Sequence, residues 1–159
     1  MDSKKIFDNF YEECLKLDKD DYFNVDNFLK RIGYNHSTFY REFENKDDFL
    51  YISIDYVVSS KIFKDDLKNI LLNYVDRLLE CKKFLKVICD NKFLNSILIE
   101  VFIENFNKLF INIVDDVSSN YIAGGLSLIG KKIIYEDINI DLVNVKTEKL
   151  IKLIESKSE

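Results

Sequence analysis

Between Gly33 and Gly124 the chain carries neither glycine nor proline, and proline is absent from the whole sequence. A stretch of that length, rich in Leu, Ile, Phe, Lys and Asn, points to helices throughout, because the two residues that most often interrupt a helix are missing. The apolar residues fall at helical spacing. Phe7, Phe10, Cys14 and Leu17 make one stripe over residues 4–17. A charged loop follows at 18–23. Further on, Asn45 caps a helix running to about Phe63, with Asp47 and Asp48 in its first turn, where negative charge complements the helix dipole. Leu67 to Cys81 trace a fifth helix and Phe84 to Ile88 a short sixth. Residues 93–117 form a long seventh, with Glu100, Glu104, Lys108 and Asn112 as its wet face. The expected fold class is all-α.

The most informative stretch is Asn24 to Lys46. Asn24 can cap a helix by accepting from the free N–H groups of its opening turn. Val25, Phe28, Leu29 and Ile32 then share an apolar face. Gly33 ends that helix, since glycine takes the left-handed conformation without steric penalty. Asn35 or Ser37 caps a second helix, in which Phe39 and Phe43 lie four apart and face inward. The opposite face carries Ser37 and Arg41, flanked by Thr38 and Tyr40. Two short helices, a glycine turn, an aromatic inner face and a hydroxyl, tyrosine and arginine outer face describe a helix-turn-helix whose second helix fits the major groove.

These residues resemble the DNA-binding end of the TetR family of transcriptional regulators. The resemblance is carried by Thr38-Phe-Tyr-Arg-Glu-Phe-Glu-Asn-Lys46 followed by Asp47-Asp-Phe-Leu50, with Gly33 at the family's turn. It covers about 45 residues well and the rest in outline. The chain departs from the pattern at three places: Leu29 and Ile32 stand where small residues are usual, Tyr34 follows the glycine in place of a hydrophobic residue, and Glu42 replaces a frequent histidine. The resemblance implies an N-terminal three-helix DNA-binding domain, residues 1–46, and a C-terminal helical regulatory and dimerisation domain, residues 47–159. It also implies double-stranded operator DNA, a homodimer and a small apolar effector as partners, with repression as the usual outcome. DNA-contacting residues on this reading are Asn24, Asn35, His36, Ser37, Thr38, Tyr40, Arg41 and Lys46. Arg41 suits a guanine edge or a phosphate, and Tyr40 and Lys46 suit phosphates.

Charge confines that reading to a small surface. Net charge is −5 and the pI about 5.0, which argues against a general nucleic-acid coat protein. Residues 1–50 hold 8 Lys and Arg against 12 Asp and Glu, a balance of 8 − 12 = −4. Residues 30–46 hold Lys30, Arg31, Arg41 and Lys46 against Glu42 and Glu44, a balance of +2. Weak non-specific DNA binding with a modest salt dependence is expected. The acidic head also keeps a second reading open: a helical protein-interaction module of the same fold that no longer binds DNA.

Residues 121–135 are the second informative stretch. Ile122, Leu126, Ile129 and Ile133 form a stripe among the small residues Ala123, Gly124, Gly125 and Gly130. Three glycines cost roughly 1 kcal/mol each relative to alanine in a helix interior, so close approach of another backbone is the expected compensation. A connection is expected from Asp137 to Val145, then a last helix from a Thr147 cap to Ile154, with a polar tail at 156–159. The resemblance places a dimer interface here, on Ile122, Gly125, Leu126, Ile129, Ile133, Leu150, Ile151 and Ile154, as a four-helix bundle shared by two chains. It places an effector pocket among Tyr74, Phe84, Phe102, Phe106 and Tyr121, although aromatic residues at helical spacing are more often plain core.

Other chemistries find little footing. The one histidine, His36, lies in the turn motif, so there is no Ser-His-acid set; no metal-ligand spacing and no nucleotide loop occur, and no enzyme activity or cofactor is expected. Cys14, Cys81 and Cys89 give neither a zinc pattern nor a disulfide framework. The N-terminus lacks an apolar signal-peptide core, and every apolar run stops well short of the ~20 residues of a membrane span, so a cytoplasmic protein with no membrane association is expected.

Overall fold

The computed structural model describes residues 3–136 and 138–157. They form ten helices and, among the described residues, no strand: α1 Ser3–Cys14, α2 Val25–Arg31, α3 His36–Glu42, α4 Lys46–Lys61, α5 Leu67–Leu72, α6 Tyr74–Glu80, α7 Lys82–Asp90, α8 Asn95–Phe110, α9 Asp116–Tyr135 and α10 Ile140–Lys157. The all-α expectation holds. The chain divides into two compact units. One holds the residues up to Val58 together with Lys83–Val101, and the other holds Ser59–Lys82 and the residues from Phe102 onward. The division falls within α4, after the first residue of α7 and within α8.

In the first unit, aromatic side chains from four helices meet around one ring. Phe49, at the start of α4, is fully buried and packs against Phe10 of α1, Phe28 of α2 and Phe39 of α3, with centroids 5.4–5.9 Å apart. Phe43, which ends α3, lies 5.1 Å from the same ring. Three of these contacts are edge-on and the one to Phe28 is stacked, and both arrangements add to the burial of the rings themselves. The head formed by α1–α3 thus takes its central core residue from α4, as a domain near the lower size limit must. The stripe on α1 is Ile6, Phe7, Phe10 and Cys14; the helix ends at Cys14 in two tight backbone turns, and Leu17 is only partly covered. Phe23, from the loop, takes the place beside Phe10 at 5.1 Å. Asn91, with no exposed surface, pins that loop: its amide donates to the Asp21 carbonyl at 2.6 Å and its oxygen accepts from the N–H groups of Phe93 and Leu94.

In the second unit α6 packs on α9, and α10 on α5. The expected fifth helix is two helices, interrupted at Asn73, whose amide donates to the Asn69 carbonyl at 2.8 Å. The expected seventh helix stops at Phe110. Asp115 then caps α9 by accepting from the Ser118 N–H, so Val117 belongs to α9 and is exposed. Those hydrogen bonds hold the Asp115 carboxyl below its usual range. The connection expected over 137–145 is mostly helical. α10 begins at Ile140, Asn139 accepts from the Leu142 N–H, and Thr147 lies inside the helix donating to the Val143 carbonyl. Asp137, where that connection was expected to begin, and Ser158 and Glu159 of the expected tail lie outside the described residues.

Gly130 has a different reason from its neighbours. A Cβ there would stand 2.5 Å from the Tyr74 hydroxyl, which is buried and donates to the Leu126 carbonyl at 2.8 Å. The close approach that this glycine permits is therefore to a side chain of the same chain. Cβ atoms at Gly124 and Gly125 would meet nothing within 4 Å.

Candidate functional site

The turn between α2 and α3 is built by four local devices. Asn24 Oδ1 accepts from the Asn27 N–H at 2.9 Å and starts α2. Gly33 takes φ +69°, where a side chain would be strained. The Tyr34 N–H returns to the Leu29 carbonyl. Asn35 Oδ1 then accepts from the Ser37 and Thr38 N–H groups and starts α3. With both helices fixed, Phe39 and Phe43 turn inward to Phe49, and the residues between them point out. Asn35, His36, Ser37, Tyr40 and Arg41 are exposed and Thr38 is partly covered. Arg41 forms no ion pair among the described residues.

Two pairs that local spacing does not reveal frame this face. The Tyr34 hydroxyl donates to Glu42 Oε2 at 2.5 Å, joining the turn to the last residue of α3. Tyr34 is buried, and burial first, then the Glu42 carboxylate, pushes its phenol up to about 12. Two of the three departures from the family pattern are therefore each other's partner. Lys46, the first residue of α4, donates to Asp26 Oδ2 at 2.5 Å. That hydrogen bond raises the lysine's pKa. Arg31, another cation beside the turn, is bound to Glu13 at 2.7 Å. Asp26, Tyr34 and Glu42 have parts here that the sequence did not assign them. Their partners lie 8 and 20 residues away, off any helical repeat.

No family model matches the chain, and neither a curated protein nor a solved structure matches it. The surface is therefore read from its own residues.

The remaining expected residues fall in several places. Tyr74 and Phe106 pack ring against ring at 5.4 Å, and Phe63 packs on both Phe102 and Phe106. Phe84 belongs to the first unit, against Tyr11, and Tyr121 is 80% exposed. The five residues expected around an effector are thus spread over a packed ring cluster, the other unit and open surface. Of the expected interface residues, Ile133 and Ile151 are buried within the single chain, and Ile122, Leu126, Ile129, Leu150 and Ile154 are partly covered. Leu126 and Ile129 of α9 and Leu142, Val143 and Leu150 of α10 line one apolar groove. Val117, Tyr121, Leu128 and Tyr135 stand exposed along one face of α9, with Gly124 and Gly125 flanking it. Leu142, Val145 and Leu153 are exposed on α10. No described helix is long and apolar enough to cross a membrane.

Proposed function

We propose that this chain is a DNA-binding transcriptional regulator of the TetR type, in which α1–α3 form a helix-turn-helix head and α3 enters the major groove. The observation that carries the reading is the division of α3. Phe39 and Phe43 are locked into the aromatic core, and His36, Ser37, Tyr40 and Arg41 stand on the solvent face of a helix capped at its start. Hydroxyl, imidazole and guanidinium groups on one exposed helical face suit base edges and phosphates.

A homodimer completes the reading. Exposed apolar faces on α9 and α10, with two glycines whose Cβ positions are open, suit close packing of the same helices from a second chain. Two heads would then read a near-palindromic site with half-sites a helical turn or more apart. Repression, and release by a small apolar ligand, rest on the resemblance alone.

The test is selection of bound sequences from a random duplex library. A short inverted repeat should be enriched. Arg41→Ala should cost about 1–3 kcal/mol of binding to it while leaving self-association intact. The acidic balance of the head favours the second reading, a protein-interaction module. That reading takes over if no duplex is enriched at low salt and Arg41→Ala changes nothing.

A further inference from the structure

Asp26 lies in the first turn of α2 and Lys46 begins α4, yet their side chains meet as an ion pair. Both side chains are part-exposed, Lys46 at 41% and Asp26 at 48%, so each is within reach of a large anionic partner. Lys46 follows the end of α3 by four residues and Asp26 lies at the start of α2, so the pair stands at the edge of the helix-turn-helix that carries the proposed DNA surface. To an ammonium, a carboxylate oxygen and a phosphate oxygen are the same kind of acceptor. Arg31, bound to Glu13, is already committed in the same way.

We propose that Asp26 is a specificity-determining residue that competes with DNA phosphate for Lys46. The inference rests on the DNA-binding reading above. In the free protein Asp26 occupies the lysine. A phosphate must displace the carboxylate or share the ammonium with it, and the carboxylate itself repels the phosphate. An exposed pair is weak, so Asp26 does not block binding; it subtracts from it. The subtraction falls hardest on the non-specific mode, which depends on phosphate neutralisation and counterion release. A correct site is held largely by base contacts from α3 and leans less on the Lys46 phosphate contact, so it loses less. Asp26 thereby widens the ratio between specific and non-specific affinity.

The experiment uses the full chain as wild type, Asp26→Asn, Lys46→Gln and the double variant. Affinities for a random-sequence duplex and for the selected duplex are measured across a salt series. Asp26→Asn should bind the random duplex roughly 3- to 10-fold tighter, with a log–log salt slope steeper by about 0.9. Its gain on the selected duplex should be smaller, and both gains should shrink when Lys46 is glutamine, leaving only the relief of the carboxylate's own repulsion. Asp26→Ser, also suited to a helix's first turn, repeats the test if the asparagine variant folds poorly. Unchanged affinity and slope, a loss of affinity, or a gain undiminished without Lys46 would each overturn the inference while leaving the DNA reading in place. No binding by any variant at low salt would overturn both.

Discussion

Tyr34 ties the candidate site to the chemistry of a single proton. Its phenol is buried and donates to Glu42, and its folded pKa is about 12 against an ordinary value of 10. A group whose pKa is raised by folding contributes fully below its unfolded pKa. Between pH 10 and 12 the unfolded chain releases that proton first, so stability falls as pH rises across this window. Burial also raises the phenol of Tyr74, in the second unit, so both units lose stability in alkali. Tyr34→Phe should cost about 1–2 kcal/mol at neutral pH and should shrink the alkaline loss, read by denaturant melts at pH 8, 10 and 11.5. A melt midpoint flat across that range in the wild type would refute the assignment. At this scale the sequence was only half legible. The capping roles of Asn24, Asn35 and Asn45 were open to reading because a cap acts within three residues. Asp26–Lys46, Tyr34–Glu42 and Asn91–Asp21 were not, because those partners are brought together only when the helices have packed.

Helix starts were more legible than helix ends, for the same reason. A start announces itself with a side chain, whereas α8 ends at Phe110 although apolar residues continue at helical spacing through Ile113 and Val117. The segment between α4 and α5 shows what ends a helix when glycine and proline are absent. Asp65 takes φ +85°, an unfavourable conformation for a residue with a side chain. Arg77 of α6 holds that segment in place. One guanidinium nitrogen donates to the carbonyls of Ile62 and Lys64 at 2.9 and 2.8 Å, and the other bonds Asp65 at 2.7 Å. Arg77 is 8% exposed, so removing its head leaves two carbonyls unpaired and a strained residue unsupported. Arg77→Met, which keeps the apolar stem, should destabilise the protein by about 2–3 kcal/mol in denaturant melts. A loss under half a kilocalorie would mean that the segment holds without it.

For the molecule as a whole the glycines of α9 separate two requirements. Gly130 serves the chain's own core through Tyr74, whereas Gly125 meets nothing in the single chain. In a monomer, Gly125→Ala should therefore stabilise α9 by about 1 kcal/mol, the ordinary helix-propensity gain. In the proposed dimer the added methyl would hold two helices apart. The expected outcome is a higher melting temperature at low concentration together with weaker self-association by sedimentation; stronger self-association would count against packing at this face. The Tyr34–Glu42 bond carries a last consequence, in terms of exchange. A hydrophobic residue at 34 would leave Glu42 without its donor, and a histidine at 42 would take the carboxylate from a buried phenol. Neither half-step keeps the bond, so the two positions are coupled, and exchanging both together should cost less than the sum of the single exchanges.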